Sequence, residues 1–513
     1  MDGTEFTSIL YRGDRPIPAS PPPAPPAFAQ DLNLDQVVAA LAGDRQAFDL
    51  RPVFYTPLRE PADIRFRQAV MQDLERPELF KGIKAFSAGM AAMREHLRQA
   101  EKLSYPRQQQ RWRLEAAAIY CQAVQDLAGL LEHETPASAG LQGFRRYLAG
   151  YAAGPDFLRL RGEAQAILAG LGQVRFTLFI RDAMVRVQNF AQEADYSLEV
   201  AGLFEKFRQG EVKDYQAPVH ELVHMNHVEA QILEFVAQLN PGAFEPLAAF
   251  QADHPDPVDP ALEHFDREVQ FYLAFMELIA PLQAAGLPFC YPQVDADGLE
   301  LSWSGGFDLA LALQRVPQGA GVVGNDLLLA DRERILVITG PNQGGKTTFA
   351  RAIGQAHLLA AIGCPVPGRS ARLPLVDRIL THFEQLEDAD GRHGKLQEEL
   401  ERMRAILGQA SPRSLIVVNE IFSATAWRDA TVMAKRVLER ILALGARCVC
   451  VTFLDELAAL GPETVSMVST VDPRDQRART FRIVRQPADG LAYALALAEK
   501  HRLTYGQLRE RLP

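Results

Sequence analysis

The stretch that decides the fold is Ile335-Leu336-Val337-Ile338-Thr339-Gly340-Pro341-Asn342-Gln343-Gly344-Gly345-Lys346-Thr347-Thr348. It begins with an apolar run typical of a buried strand and continues into a glycine-rich loop of the form G-x-x-x-x-G-K-[ST]. Apolar residues then recur over 349–362 at the spacing of a helix. Backbone N–H groups of such a loop, with the first turn of the following helix, bind polyphosphate. The stretch therefore predicts a P-loop that binds ATP or a close relative.

Each part of this loop has an expected task. Lys346 is predicted to reach the β- and γ-phosphates, which makes it a catalytic as well as a binding residue, and the Thr347 hydroxyl is predicted to ligate Mg²⁺. The nucleotide would contact Gly340, Pro341, Asn342, Gln343, Gly344, Gly345, Lys346, Thr347 and Thr348. The alternative is a glycine-rich turn with a chance lysine, but the flanking strand and helix favour the phosphate site.

A second apolar strand supplies the other half of the predicted site. Residues 415–418 read LIVV and are followed by Asn419 and Glu420. An ATPase usually has an aspartate at the first of these positions, so Asn419 would keep a carbonyl oxygen for the metal but lose the charge. Glu420 then stands where a general base would take a proton from the attacking water. The alternative is that both residues are only the polar end of a strand.

Length and composition limit the function classes. The chain of 513 residues suggests about three domains or lobes. Its 48% hydrophobic and 23% charged residues are ordinary for a globular protein. No apolar run reaches the roughly 18 residues of a membrane span and no signal peptide is recognisable, so we expect no membrane partner. Five scattered cysteines predict reduced thiols and a cytoplasmic location, and a net charge of −10 argues against a large nucleic-acid footprint.

The periodicity predicts an α + α/β fold in three parts. Residues 1–50 are expected to be a flexible Pro-rich N-terminal segment, with a linker at 14–28 and a short helix after it. Residues 51–297 are mainly helical, with a short β-hairpin near 173–189, and residues 298–513 alternate strands with helices. Strands of this last part are predicted at 335–339, 414–418, 447–452, 465–470 and 479–485, after a strand-rich region over 298–330.

Several motifs resemble those of the DNA mismatch repair MutS family, an ABC-type branch of the ATPases. The loop 340–348 is similar to GPNMGGKST, residues 419–421 are similar to DEI, and residues 452–457 are similar to TH-x-x-EL. Further similar motifs lie at 323–326, 363–367, 376–381, 391–392 and 490–494, and upstream at 58–60 and 64–70. The resemblance covers about 50–510 and is strongest over 320–500.

The resemblance implies a helical core and lever domain followed by a P-loop ATPase domain of the MutS C-terminal type, with ATP and Mg²⁺ as cofactors. It implies that Thr347 and Asn419 face the metal and that Asn325 helps to bind the nucleotide. It also implies a homodimer with composite ATP sites, in which a signature segment acts on the partner's ATP. The implied role is DNA repair or recombination, through binding of mismatched or branched DNA.

The departures from the family pattern bear on the activity. We expect no counterpart of the family's N-terminal mismatch-reading domain within residues 1–50, and only the short hairpin in the region of its DNA clamp. His393-Gly394 replaces the signature Ser-Thr pair, and Phe453 replaces the switch histidine. Val322 lies near the position of the aromatic that stacks on adenine. Together with Asn419 these changes predict ATP binding with slow hydrolysis, because one transition-state contact is worth about 10² to 10³ in rate.

Two other interpretations stay open. The helical part could bind a protein, which would make the chain an ATP-dependent protein-interaction module without DNA activity. His220, Glu221 and His224 match H-E-x-x-H on a predicted helix and could bind Zn²⁺, with His227 one turn further on. A zinc peptidase is the less favoured alternative, because no third ligand follows at the required spacing and a simple histidine cluster explains the motif as well.

Overall fold

The structure is a computed structural model that describes residues 6–13, 25–43, 45–182, 184–191, 225–296, 298, 300–330, 332–384, 394–423, 425–472, 474–488 and 509. By its internal contacts the chain divides into two compact units. The first unit comprises Met1–Phe6, Pro77–Pro136 and Gln142–Asp266, and the second comprises Thr7–Arg76, Ala137–Leu141 and Arg267–Pro513.

Helices and strands alternate only in the C-terminal part of the described chain. The α-helices are α1 (Phe28–Asp31), α2 (Leu34–Ala42), α3 (Arg51–Tyr55), α4 (Pro61–Asp73), α5 (Pro77–Lys102), α6 (Pro106–His133), α7 (Ala139–Ala152), α8 (Pro155–Gln173), α9 (His227–Leu239), α10 (Pro241–Asp253), α11 (Pro260–Ala284), α12 (Leu309–Arg315), α13 (Lys346–Ala361), α14 (Lys395–Gln409) and α15 (Trp427–Leu444). The strands are β1 (Phe176–Arg181), β2 (Met184–Asn189), β3 (Phe289–Cys290), β4 (Gln293–Asp295), β5 (Leu301–Gly306), β6 (Asn325–Leu329), β7 (Ile335–Thr339), β8 (Val366–Pro367), β9 (Ser370–Pro374), β10 (Ile379–His382), β11 (Leu415–Asn419), β12 (Arg447–Val451), β13 (Thr464–Asp472) and β14 (Asp475–Arg485). Of the helices in these ranges, none has both the length and the apolar character needed to cross a bilayer.

In the first unit, α5 and α6 form a closely packed antiparallel pair. The buried side chains of α5 are Leu79, Ile83, Phe86, Met90, Met93 and Ala100, which recur every three or four positions along most of the helix. Two glycines of α5 allow the helices to approach. A Cβ added at Gly82 would lie 2.0 Å from the Leu130 side chain, and one at Gly89 would lie 2.8 Å from Ala123 Cβ. The helix pair therefore depends on small residues along its contact line.

The first unit also contains the β-hairpin predicted near 173–189. Strands β1 and β2 pair antiparallel, from Phe176 opposite Asn189 to Arg181 opposite Met184. The turn includes Asp182 at a φ of 56°, a left-handed conformation that aspartate tolerates better than most residues. Neither strand has a fully buried residue. The hairpin is thus confirmed, and it contributes little to the core of its unit.

The second unit contains a six-stranded sheet in the order β10-β11-β12-β7-β13-β14. The first five strands run parallel, and β14 pairs antiparallel with β13 at the edge. All residues of β7 are buried, which explains why this strand reads as a continuous apolar run. Helices α14 and α15 share one apolar core with β7, β11 and β12. The combination of helical and α/β parts confirms the predicted mixed fold class.

The strands predicted in this region match β7, β11, β12, β13 and β14, although β14 begins earlier than predicted. A second, four-stranded sheet has the order β4-β9-β5-β6. The strand-rich region expected over 298–330 also contains a helix, α12. That helix begins after Asp308, whose carboxylate accepts a hydrogen bond from Leu311 N at 3.0 Å and so caps the first turn.

The N-terminal residues that the structure describes differ from the expected flexible segment. Helices α1 and α2 lie there, and Leu32 between them is fully buried. Arg351 Nε of α13 donates to Asp31 O at 2.9 Å, and Gln355 Nε2 donates to Leu32 O at 2.8 Å. These contacts tie residues 28–42 to α13, and both belong to the second unit.

Candidate functional site

The glycine-rich loop joins β7 to α13 and has three residues in left-handed conformations. These are Gly340 at a φ of 111°, Gln343 at 60° and Gly345 at 91°. The loop lies against β13, because Cβ atoms added at Gly340 and Gly344 would lie 2.8 Å and 2.2 Å from atoms of Ser469. Ser469 Oγ donates to Gly344 O at 2.7 Å. Ser469 therefore supports the loop from behind, a role that the sequence did not suggest.

Lys346 lies inside the loop. Its side chain is only 5% exposed, and Nζ donates to Gly340 O at 2.8 Å, to Pro341 O at 3.1 Å and to Asn342 Oδ1 at 3.3 Å. Burial lowers the pKa of Lys346, and the nearby Glu420 carboxylate opposes this shift. The ammonium group thus faces a ring of oxygen atoms, which phosphate oxygens of a ligand could replace.

Thr347 and Asn419 lie in direct contact. Thr347 Oγ1 donates to Asn419 Oδ1 at 2.8 Å, which joins the first turn of α13 to the end of β11. Glu420 follows at a φ of 54°, and its backbone N donates to Val451 O at 2.9 Å. The four residues predicted for catalysis and metal binding, Lys346 included, therefore meet at one end of the parallel sheet, where α/β proteins bind their ligands.

A cavity of about 620 Å³ opens over this loop. Its lining residues are Gly306, Phe307, Asp308, Leu311, Arg315, Gly321, Val322, Val323, Asn325, Asn342, Gln343, Gly344, Gly345, Lys346, Thr347, Thr348, Phe349, Ala352, Glu420 and Phe481. The lining combines polar groups of the loop with apolar side chains such as Leu311, Val322 and Val323. Of the predicted residues, Gly340, Pro341 and Asn419 are not among those lining the cavity.

Asn325 lines the cavity, but its amide is engaged with the protein. Nδ2 donates to Phe481 O at 3.1 Å, and Oδ1 accepts from Ile483 N at 2.8 Å. These bonds hold the edge strand β14 against β6. The contacts favour a positioning task for Asn325, in which it fixes Phe481 at the cavity wall.

Phe481 is the main lining residue that the sequence did not predict. It has a φ of 56°, which is unusual for an aromatic residue, and its side chain is 44% exposed. Val322, near the position expected to carry the stacking aromatic, lines the same cavity. Arg479 on the same strand donates from Nε to Asn342 O at 3.2 Å. The local sequence pattern does not predict that Phe481 and Arg479 lie at the site, because it is strand pairing that brings β14 to the loop.

The predicted zinc motif lies outside the described residues at His220, Glu221 and His224. His227 is described and is the first residue of α9, which Asn226 caps. Among the described residues, no group of three or more histidine, cysteine, aspartate or glutamate side chains is placed to hold a metal ion. The zinc hypothesis therefore stays a prediction.

A model of the MutS domain V family matches residues 336–503. This range includes most of β7, the glycine-rich loop, Asn419 and Glu420. Over this range the chain is similar to the MutS family. The resemblance drawn from the motifs is confirmed there.

Relatives of the MutS family match about a third of the chain or less. The DNA mismatch repair protein MutS of Thermotoga neapolitana is 36% identical over 138 residues, which are 27% of this chain and 17% of that protein. MutS of Brevibacillus brevis is 34% identical over 183 residues, or 34% of this chain and 21% of that protein. The DNA mismatch repair protein MSH4 of Arabidopsis thaliana is 34% identical over 158 residues, or 30% of this chain and 20% of that protein. The matches thus span about a fifth of the length of these curated relatives.

The departures from the MutS motifs fall at several places near the site. Phe453 follows β12 and is 43% exposed, with its ring 5.9 Å from that of Trp427. His393 lies outside the described residues, and Gly394 directly precedes α14. Asn419 occupies the position of the aspartate and keeps its contact with Thr347 through a neutral oxygen. The phosphate end of the site therefore has the expected donors, with Glu420 lining the cavity beside them.

Proposed function

We propose that this chain is an ATP-binding MutS-type ATPase with slow hydrolysis. The observation that carries the proposal is the contact between Thr347 and Asn419 next to Lys346 and Glu420, three of which line a cavity of about 620 Å³, all but Asn419. The match to MutS domain V supports a P-loop ATPase of the ABC type. Phosphates would lie against the backbone N–H groups of residues 342–348, and Lys346 would exchange its loop carbonyls for phosphate oxygens.

The donor set at the end of β11 suits Mg²⁺. A threonine hydroxyl and an amide carbonyl oxygen that lie 2.8 Å apart are hard oxygen ligands, which this ion prefers. Thr347 and Asn419 would hold the ion, whose charge would neutralise phosphate oxygens during the reaction. The weak point is Asn419, because a neutral amide attracts the ion less strongly than a carboxylate does.

Glu420 is the proposed general base. Its carboxylate lines the cavity next to the loop and would accept a proton from the attacking water. Lys346 would stabilise the charge that develops on the phosphate oxygens. The neutral Asn419 and the aromatic Phe453 remove two groups that would otherwise assist, and each such contact is worth about 10² to 10³ in rate. Slow turnover follows from this donor set.

The apolar lining of the cavity suits a nucleobase. Phe481 offers an aromatic ring that is 44% exposed and lies next to Gly345, while Val322 offers only an aliphatic surface. Stacking between a base and an aromatic side chain is worth about 1–3 kcal/mol. Phe481 is therefore proposed to take the stacking task that the sequence pattern had assigned near Val322.

We further propose a homodimer with composite ATP sites, a cytoplasmic location and a role in DNA repair or recombination. The names of the relatives, DNA mismatch repair proteins MutS and MSH4, support the repair role. In the proposed switch, ATP binding changes the dimer, which then binds mismatched or branched DNA. The second candidate is an ATP-dependent protein-interaction module without DNA activity, which the net charge of −10 favours.

Analytical ultracentrifugation with and without Mg-ATP tests the proposal. Wild type should bind ATP and change its sedimentation, whereas Lys346→Ala should do neither. Lys435→Ala, at an exposed position of α15, is the matched control and should behave as wild type. Equal nucleotide affinity in wild type and Lys346→Ala would contradict the site. Salt-dependent binding to branched but not to plain duplex DNA would then separate the first candidate from the second.

A further inference from the structure

The hairpin of the first unit exposes an unusual amount of apolar surface. Ile180 and Met184 are 73% and 72% exposed. Other large apolar side chains exposed on the hairpin and on α9 are Phe176, Leu178, Phe179, Val228, Phe235 and Leu239. The strand register puts Phe179 and Met184 on one face of the hairpin, and Phe176, Leu178 and Ile180 on the other. Exposed apolar side chains that cluster on one face often mark a binding surface.

A groove of about 880 Å³ lies between the hairpin and α9. Its lining residues are Phe179, Arg181, Met184, Val185, Arg186, Val187, Gln188, Phe235, Gln238 and Leu239. The lining is mainly apolar, and its charged members are two arginines. Within the described part of the chain, Arg181 and Arg186 are exposed and have no acidic partner. The groove, as described, is therefore apolar and positively charged.

The strand register places each arginine beside an apolar side chain. Phe179 lies opposite Arg186, and Arg181 lies opposite Met184. Residues directly opposite each other in an antiparallel pair point to the same face of the hairpin. One face thus presents two apolar side chains alternating with two guanidinium groups. This pattern complements a ligand that carries both apolar side chains and carboxylates.

We propose that this groove binds an acidic amphipathic helix of a protein partner. Apolar side chains of such a helix, recurring at i, i+3, i+4 and i+7, would enter the groove beside Phe235 and Leu239. Its flanking carboxylates would pair with Arg181 and Arg186, since arginine binds carboxylates in a bidentate manner. Met184 adapts to side chains of different shape. The site is distinct from the nucleotide cavity and does not depend on the proposed ATPase function.

Two other occupants fit the groove less well. Proteins that bind duplex DNA commonly make about six to ten phosphate contacts, whereas this groove offers two arginines and an apolar lining. A second copy of the chain in a two-fold dimer would bring a patch with the same two arginines, and the described lining residues include no carboxylate to pair with them. An acidic amphipathic helix satisfies both the charge and the apolar surface.

Fluorescence anisotropy on the full chain tests the proposal with a labelled panel of designed amphipathic peptides. Each peptide carries leucine or phenylalanine at i, i+3, i+4 and i+7 with glutamate beside them, and its counterpart carries lysine at the glutamate positions. We expect the acidic peptides to bind at least about tenfold more tightly than their basic counterparts. A higher salt concentration should weaken the binding of the acidic peptides. Met184→Glu, and the double variant Arg181→Glu with Arg186→Glu, should each weaken binding by about tenfold or more.

Matched controls lie outside the groove in the same unit. Leu158→Asp changes another exposed apolar residue, and Arg159→Glu reverses another exposed arginine, and neither should alter peptide binding. Wild-type affinity in the double arginine variant would overturn the charge argument. No preference for acidic over basic peptides would overturn the proposal. If short duplex or single-stranded DNA binds to wild type and this binding is lost in the same variants, the groove is assigned to nucleic acid instead. If wild type self-associates and Met184→Glu does not, the groove is assigned to a second copy of the chain.

Discussion

Replacing Phe481 by glycine should weaken ATP binding while leaving folding stability almost unchanged. Phe481 has a φ of 56°, and a left-handed conformation costs a residue with a Cβ about 1–2 kcal/mol, which glycine would recover. Glycine in turn costs about 0.5–1 kcal/mol of backbone entropy. The side chain is 44% exposed, so its removal forfeits about half of the 1.5–3 kcal/mol that full burial of phenylalanine provides. These contributions nearly cancel, and the free energy of unfolding should change by less than about 1 kcal/mol.

Binding of the nucleotide should change by more. Losing a base–aromatic stack is worth about 1–3 kcal/mol, which is about a 5- to 150-fold rise in the dissociation constant for ATP. Calorimetric titration with ATP and with inorganic tripolyphosphate separates the base from the phosphates. Phe481→Gly should weaken the binding of ATP but not of tripolyphosphate. Phe481→Trp should retain most of the wild-type affinity for ATP. Equal weakening of both ligands, or a loss of stability that parallels the loss of affinity, would refute the assignment of Phe481 to the base.

Three further predictions follow from the same structure. Asn419→Asp restores a charge beside Thr347, so steady-state assays should show a lower Mg²⁺ requirement and turnover at least about tenfold faster; an unchanged Mg²⁺ dependence would count against the metal ligands. Gly89→Ala should destabilise by about 1–2 kcal/mol in urea unfolding although alanine favours helices, and adding Ala123→Gly should reverse the loss; additive effects would disprove the close approach. Burial lowers the pKa of His382 from 6.5 to about 4. As the pH falls, His382 is therefore protonated in the unfolded chain at a higher pH than in the folded chain. Its contribution to the free energy of unfolding is fully present above about pH 6.5, and that free energy is on the order of 2 kcal/mol lower at pH 5. His382→Gln should reduce that loss, and an unchanged difference between pH 7 and pH 5 would contradict it.

The sequence predicted the elements whose environment is uniform along the chain. Strand β7 was predicted at its observed bounds because every residue of it is buried, so the apolar run and the strand coincide. The hairpin was predicted because its alternation and turn are local. Helix α12 was missed because its beginning is set by the Asp308 cap and by Gln355, which donates to Asp308 Oδ1 at 3.0 Å from α13. Such a contact over many residues leaves no periodic signal.

The site was predicted in the same uneven way. Lys346, Thr347, Asn419 and Glu420 belong to short motifs, and the structure brings them together. Phe481 does not belong to any motif, since it reaches the cavity only because β14 pairs with β13 and is held by Asn325. A local motif therefore gives no information about cavity-lining residues that come from a distant strand.

The distribution of backbone strain supports the proposed nucleotide site. The non-glycine residues with positive φ in the described ranges are Asn33, Asp49, Asp182, Gln343, Glu420, Phe422 and Phe481. The first three are asparagine or aspartate, which tolerate this conformation, while the other four each cost about 1–2 kcal/mol. Three of those four line the cavity over the glycine-rich loop, and Phe422 follows Glu420 by two residues. Strain persists only where the surroundings enforce it, and it clusters at sites that need a fixed shape. This clustering supports the proposed nucleotide site despite the neutral Asn419.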